Sequence, residues 1–278
     1  MSSAPPVDRL AGALRFPIRT AGFVGLTFSL YGMLELDTAI SPAEERSAVL
    51  YKWIERYGKG LLALYGVDVT ALGPHLEEGR RYPGTAPDGR GRIFVMNHRS
   101  GLDIPVTLAF IEATIVSRAD LARWPVIGVA ARRVGTLFVD RTDKQSGAAV
   151  INAMCGAIER GRAVMVYPEG TTFSGDEVRP FRPGAFVAAQ RTGAEIVPVG
   201  LAYGGEGASF IEEPFAAHMK RVSSAPGTRA ALAVGPPLHL PGASLEETAN
   251  AGRDAVHQRL HRVSSCVRCQ PDRRPPGR

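Results

Sequence analysis

Cysteine is scarce in this sequence, which has three in 278 residues: Cys155, Cys266 and Cys269. They provide no disulfide framework of the kind that small extracellular domains use, so we expect a reducing compartment. Cys266 and Cys269 form a lone CxxC pair, which has too few ligands for a structural zinc site without a second pair. We therefore expect no bound metal.

Other absences narrow the class of function. The chain has no internal repeat, no recognised nucleic-acid-binding motif and no aromatic residues interleaved with a basic stretch, so we expect no nucleic-acid partner. Hydrophobic residues make up 45% and charged residues 22%, which is typical of a folded globular protein. The net charge of +6 and the pI of about 9.5 suit an anionic partner, although basic residues also serve solubility alone.

One long apolar run lies near the N-terminus, AGFVGLTFSLYGMLEL at residues 21–36, with Arg9, Arg15 and Arg19 before it. The run is shorter than the about 20 residues of a full span, and no small-residue cleavage site marks it as a signal peptide. Three interpretations remain: an embedded or interfacial membrane helix, a single span, or a buried core helix. The flanking arginines favour the cytoplasmic side of an anionic membrane, to which the protein is peripheral, monotopic or single-spanning.

The remaining pattern predicts an α/β protein. Residues 42–66 read as a second helix with Ser41 and Glu44 as a capping box. After Gly66, short apolar runs alternate with helical patterns, which predicts a mostly parallel or mixed sheet flanked by helices. The predicted strands are residues 66–72, 92–97, 113–117, 135–141, 163–169, 195–201 and 229–235, and the predicted helices are residues 103–113, 124–134, 143–161 and 184–193.

We divide the chain into three parts. Residues 1–62 are an N-terminal membrane-associating helical segment, and residues 63–245 are the α/β domain. Residues 246–278 are a C-terminal helix and a basic tail. From Ser264 onward the tail is rich in Pro and Arg without an apolar period, which predicts disorder.

The stretch NHRSGLD, Asn97 to Asp103, directly follows the strand IFVM. Ligands tend to bind where the strands of an α/β sheet end. Asp103 can accept a hydrogen bond from one nitrogen of His98, which leaves the other nitrogen free as a base. The same residues also fit an ordinary helix start, with Asp103 or Ser100 as the N-cap.

Four blocks occur in order: NHRSGLD, GTLFVDR at 135–141, YPEGTT at 167–172 and IVPVGL at 196–201, with SRADLARWPVIG at 117–128 between the first two. Together they resemble the NHxxxxD glycerolipid acyltransferases, the PlsC-like 1-acyl-glycerol-3-phosphate acyltransferase family. The resemblance covers about Gly66 to Val234 and implies the glycerolipid acyltransferase fold.

The resemblance implies a reaction and roles for residues. His98 and Asp103 are the catalytic pair that activates a lysophospholipid hydroxyl, and acyl-CoA or acyl-carrier protein is the co-substrate, without a cofactor. The most favoured acceptor is 1-acyl-sn-glycerol-3-phosphate, and the product is phosphatidic acid. The expected substrate-binding residues are Asn97, Arg99, Ser100, Arg141, Glu169, Gly170, Thr171 and Arg182.

One position departs from the family pattern. Many members carry an arginine after EGT, where this chain has Thr172. Arg179 and Arg182 from a nearby loop replace the missing charge, or the acceptor lacks a phosphomonoester, as in relatives that acylate lyso-ornithine lipid or other lysolipids. An alternative from another class is a basic membrane-binding protein without catalysis.

Overall fold

The computed structural model describes residues 6–140, 143–172, 175, 177–204, 207–238, 240 and 242–269. Its helices are α1 (Pro6–Ile40), α2 (Arg46–Tyr65), α3 (Asp103–Phe110), α4 (Ile127–Arg133), α5 (Lys144–Glu159), α6 (Gly184–Thr192), α7 (Phe215–Ser224) and α8 (Leu245–Cys269). Its strands are β1 (Val67–Leu72), β2 (Ile93–Met96), β3 (Thr114–Arg118), β4 (Leu137–Val139), β5 (Val164–Val166), β6 (Ile196–Gly204) and β7 (Thr228–Val234).

The strands form one mixed sheet in the order β1-β7-β6-β2-β5-β3-β4. The strand pairs are parallel except for β6 and β7, which run antiparallel. Every residue of β2 is buried, as expected for a central strand covered on both faces. The predicted fold class is therefore confirmed. Because β2, β5 and β6 are parallel neighbours, the segments that follow β2 and β5 emerge at the same edge of the sheet.

Two helices precede the sheet: α2 packs against β1 and α3, and α1 packs against α2 and α7. The helix α1 is longer than the predicted apolar run, because it also lies along α7: the Arg19 side chain is 8% exposed and donates to the carbonyls of Ser223 and Ala225 at the end of that helix. Residues 10–40 are long and apolar enough to cross a membrane, by length and composition. The domain boundaries given above stay predictions.

The structure corrects two local predictions. The capping box of Ser41 and Glu44 does not form: a 3-10 turn at Ala43–Glu45 precedes α2, and neither element has a side-chain cap. The tail from Ser264 is not disordered throughout, because α8 continues to Cys269. Val267 is 5% exposed and packs with residues of β6 and β7, which explains the extra helical turns. Residues 270–278 lie outside the described residues.

Candidate active site

His98 and Asp103 lie together at the carboxyl end of β2. Nδ1 of His98 is 2.6 Å from Oδ2 of Asp103. The Asp103 side chain is fully buried, whereas the His98 side chain is 18% exposed and lines a cleft of about 130 Å³. With Nδ1 on the carboxylate, Nε2 is the imidazole atom that can meet a substrate.

The Asp103 carboxylate is held by further donors. Oδ2 accepts from the backbone N–H of Arg99 at 2.7 Å and of Ser100 at 3.1 Å, and Oδ1 accepts from the hydroxyl of Tyr203 at 2.7 Å. Burial, followed by the negative charge of Asp103, raises the pKa of Tyr203 well above its ordinary value, so this hydroxyl stays a donor. Hydrogen bonds to the charged form stabilise a buried carboxylate. These three donors fix the orientation of the Asp103 carboxylate beside His98.

The alternative of a simple helix cap does not describe this carboxylate. The helix α3 begins at Asp103, its N-cap position is Leu102, and no side chain caps it. The Asp103 side chain points back to the loop instead of forward to the first helical turn. Ser100 likewise uses its Oγ within the loop, where it accepts from the N–H of Leu102 at 3.1 Å.

Tyr167 packs on the His98 ring. The two ring centroids are 4.3 Å apart at an interplanar angle of 27°, which is a stacked arrangement. The Tyr167 hydroxyl lies 3.0 Å from Oγ1 of Thr107 and is fixed there. The stack restricts rotation of the imidazole about its own axis and leaves its edge toward the cleft.

Arg99 and Glu169 join the first block to the third. Nη1 of Arg99 donates to Oε2 and Oε1 of Glu169 at 2.9 and 3.2 Å, and both side chains are buried. Burial raises the pKa of Glu169 to about 7, and the Arg99 guanidinium opposes this shift. Nε and Nη2 of Arg99 donate to the carbonyls of Gly175 and Glu177. This geometry supports the loop after β5, and substrate binding by the pair stays a prediction.

Asn97 connects β2 to β6. Its side chain donates to the carbonyl of Leu201 at 2.8 Å and accepts from the Leu201 N–H at 2.9 Å. Asn97 is fully buried, so it positions the strand end from which His98 projects. Direct contact between Asn97 and a substrate stays a prediction.

The remaining predicted binding residues lie around the loop that follows β5. Gly170 has a φ of 79°, and a Cβ there would lie 2.4 Å from Nε of Arg182, so the Arg182 side chain requires glycine beneath it. Thr171 and Thr172 line the cleft of His98. Arg182 itself is exposed. The prediction for Arg141 lies outside the described residues.

A larger, apolar cavity of about 210 Å³ adjoins the cleft. Both are lined by Gly101, Ile104 and Phe215, so they meet beside the loop that carries His98. Side chains from α1, α2, α3 and α4 form most of the cavity wall. Among the described residues, no group of three or more His, Cys, Asp and Glu side chains could hold a metal ion.

Comparisons with known proteins identify the family of the region that carries this site. Residues 81–202 match the family model described as Acyltransferase. A lyso-ornithine lipid O-acyltransferase of Pseudomonas aeruginosa is 34% identical over 49% of this chain and 52% of the relative. A 1-acyl-sn-glycerol-3-phosphate acyltransferase of Neisseria gonorrhoeae is 32% identical over 52% of this chain and 53% of the relative. This chain therefore spans about half the length of these relatives.

A solved structure has the same fold. The crystal structure of the 1-acyl-sn-glycerophosphate acyltransferase PlsC from Thermotoga maritima matches with a TM-score of 0.71 and 20% identity, over 93% of this chain and 97% of that chain. The family model and the relatives confirm the resemblance predicted from the four blocks. Residues 81–202 are thus an acyltransferase domain.

Sequence reasoning missed three side chains at this site: Tyr167, Tyr203 and His218. Tyr167 begins the third block, and its position directly after a strand is a signal that could have identified it. Tyr203 lies two residues beyond the fourth block, and only the parallel pairing of β2 with β6 brings it to Asp103. His218 lies on α7, which the sequence pattern did not predict.

Proposed function

We propose that this protein is an O-acyltransferase that moves an acyl group from the thioester of acyl-CoA or acyl-carrier protein to a lysophospholipid hydroxyl. The observation that carries the proposal is the pair of His98 and Asp103, whose free Nε2 faces a cleft that adjoins an apolar cavity. The acyltransferase domain and the names of the relatives support the reaction class. The donor is a co-substrate, and the scheme needs no cofactor.

In this reaction His98 moves one proton twice. Nε2 takes the proton of the acceptor hydroxyl while the hydroxyl oxygen attacks the thioester carbonyl carbon. The buried Asp103 carboxylate stabilises the imidazolium that forms. When the tetrahedral intermediate collapses, the C–S bond breaks and Nε2 returns the proton to the thiolate. The products are the ester and the free thiol, and a positioned base of this kind contributes about 10²–10⁴ in rate.

The apolar cavity suits the hydrocarbon chain of a substrate. Burial of one methylene stabilises binding by about 0.8 kcal/mol, so the affinity of the cavity for a hydrocarbon chain increases with the length of the chain. The junction at Gly101 and Ile104 places the polar end of such a chain near His98.

The outer surface of α1 supports a location on the membrane, and we place the protein on its cytoplasmic side. Large apolar side chains are exposed along this helix: Leu10, Leu14, Ile18, Val24, Phe28, Met33, Leu36 and Ile40. Their water-exposed area would be removed by insertion into lipid. A lysophospholipid acceptor can then reach the cleft from the same surface.

The favoured acceptor is 1-acyl-sn-glycerol-3-phosphate, which the named Neisseria relative supports. A second candidate is lyso-ornithine lipid, which has a zwitterionic headgroup. Thr172 lines the cleft where the family pattern has an arginine. Among the described residues that line the cleft, Arg118 is the single arginine, and it pairs with Asp120 at 2.8 Å. A cation and an anion side by side match a zwitterion better than a phosphate dianion.

The test is acyl transfer by purified protein in detergent, with one long-chain acyl-CoA and with the two acceptors in separate reactions. His98→Ala is the test variant. His257→Ala, an exposed histidine on α8, is the matched control. We expect product with the parent chain and with His257→Ala, and a loss of about 10²–10⁴ in rate with His98→Ala.

The outcomes separate the candidates. Product from 1-acyl-sn-glycerol-3-phosphate alone supports the first acceptor, and product from lyso-ornithine lipid alone supports the second. Unchanged turnover in His98→Ala would overturn the role of His98 as the base. A parent chain that binds vesicles but acylates neither acceptor would favour the non-catalytic membrane-binding alternative.

A further inference from the structure

A second histidine, His218, contacts the loop that carries His98. It lies on α7 with its side chain fully buried. The rings of Phe210 and Phe215 surround it at centroid distances of 5.5 and 6.4 Å. No step of the proposed reaction uses it, although a buried ionisable group is costly unless its polar atoms have partners.

One nitrogen of His218 holds the loop. Nε2 lies 3.1 Å from the backbone nitrogen of Gly101 and 3.2 Å from Oγ of Ser100. A backbone N–H can only donate, so Nε2 is the acceptor and carries no proton. The Ser100 hydroxyl donates to the same atom and accepts from the N–H of Leu102.

The other nitrogen has an anionic partner. Nδ1 of His218 lies 3.3 Å from Oε1 of Glu213 and 3.1 Å from Nη2 of Arg221, which also donates to Oε1 at 2.6 Å. Because the Gly101 N–H requires the lone pair on Nε2, the single proton of a neutral ring lies on Nδ1, where the Glu213 carboxylate can accept it. Burial and then the Arg221 charge lower the pKa of His218, against smaller opposing effects of Glu213 and Asp103. The imidazole is therefore neutral, and only a neutral ring can accept a hydrogen bond at Nε2.

The atoms that His218 holds determine the geometry of the catalytic pair. The loop between His98 and Asp103 is short, and the N–H groups of Arg99 and Ser100 donate to Asp103 within it. A shift of Ser100 or its neighbour Gly101 therefore moves the donors that orient the carboxylate.

The helix α7 packs directly on this loop. A Cβ on Gly101 would lie 2.6 Å from Sδ of Met219, on the turn of α7 that carries His218. Glycine at this position lets the helix approach closely enough for Nε2 of His218 to reach the backbone.

We propose that His218 is a positioning residue for acyl transfer, which holds Ser100 and Gly101 from α7 and thereby aligns His98 with Asp103. The proposal rests on the proposed function, because alignment matters only if His98 is the base. It assigns His218 no contact with substrate.

Two substitutions distinguish a hydrogen-bonding role of His218 from a role in packing alone. His218→Gln can place an amide oxygen near the position of Nε2, whereas the shorter side chain of His218→Asn reaches only the position of Nδ1. We expect His218→Asn to lower kcat by about 10–100-fold with KM unchanged, because small misplacements of reacting groups are costly. His218→Gln should recover most of the parent kcat. His261→Asn, on the exposed face of α8, is the matched control and should leave both constants unchanged.

The same experiment can overturn the proposal. A parent kcat in His218→Asn, or an equal loss in the folded Asn and Gln variants, would show that the acceptor at Nε2 does not matter. Failure of the proposed function looks different, since then the parent is inactive or His98→Ala keeps its activity.

A spectroscopic measurement on the parent chain needs neither activity nor a folded Asn variant. The side-chain ¹⁵N signals of histidine-labelled protein report the tautomer, and the His218 signals are those that disappear in His218→Gln. We expect an unprotonated Nε2 and a protonated Nδ1. The opposite tautomer, or a charged ring at pH 7, would refute the proposal.

Discussion

Arg99 donates from one guanidinium nitrogen to both carboxylate oxygens of Glu169, and the two side chains are shielded from water. The pair spans the two loops that leave the neighbouring parallel strands β2 and β5. These loops carry His98 and the threonines of the cleft, so the pair holds the two sides of the candidate site at a fixed separation.

Removal of Glu169 should destabilise the fold. Glu169→Ala leaves the buried Arg99 charge without its carboxylate, and the loss of one partner from a buried pair costs about 3–5 kcal/mol. Glu177→Ala removes an exposed carboxylate from the same loop and should change the free energy of unfolding by less than about 0.5 kcal/mol. Denaturant unfolding measures both, and equal values would show that the pair contributes no stability.

Stability should depend on the ionisation of His218. The folded state lowers the pKa of this imidazole below its ordinary value of 6.5, so the unfolded chain binds the proton first as the pH falls. The contribution of the neutral His218 imidazole to the free energy of unfolding is fully present above pH 6.5. It decreases below that pH, by at most about 1.4 kcal/mol per pH unit. The free energy of unfolding of the parent and of His218→Gln, measured from pH 7 downward, tests this, because the variant has no imidazole at position 218 to titrate. Parallel pH profiles would contradict it.

A larger side chain in the apolar cavity should shorten the preferred acyl chain. Ala130 lines the cavity from α4, so Ala130→Phe occupies space that a long chain needs. Each methylene that is excluded forfeits about 0.8 kcal/mol of binding, so turnover should fall for long donors and persist for short ones. Acyl-CoA donors of increasing length measure this preference. Ala148→Phe, on the exposed face of α5, is the control, and the same chain-length profile in both variants would exclude the cavity as the acyl site.

A charge on the outer face of α1 should weaken vesicle binding. Ile18 is 66% exposed, so Ile18→Glu removes an apolar contact with lipid and leaves the folded core intact. An apolar side chain of this size contributes about 1.5–3 kcal/mol, which corresponds to a roughly 10–100-fold weaker affinity. Co-sedimentation with anionic vesicles measures it, with Leu240→Glu at an exposed position outside α1 as the control. Equal binding by the two variants would place the membrane contact elsewhere.

Local patterns predicted the sheet well. All seven predicted strands occur, because each is a short run of apolar, β-rich residues between turn signals. The proximity of His98 and Asp103 was also predictable, since only four residues separate them and both leave the end of one strand.

The surroundings of that pair could not be predicted in the same way. Tyr203 and His218 contact the loop from positions 100 or more residues later in the chain, and nothing local in the sequence indicates such a contact. The helix α7 was missed because its sequence, FAAHMKRVSS, is short and weakly apolar. In the C-terminal segment, Val267 was too isolated in the sequence to indicate that β6 and β7 would hold it.

The bonds of Arg19 to the end of α7 link the proposed membrane anchor to the candidate site. They attach α1, whose outer face exposes apolar side chains, to the same short helix that contacts the loop of His98. If α1 lies in a bilayer as proposed, the depth of its insertion determines the height of Nε2 of His98 above the lipid headgroups. The proposed acceptor would then reach His98 by lateral diffusion, with its hydrocarbon tail still in the leaflet.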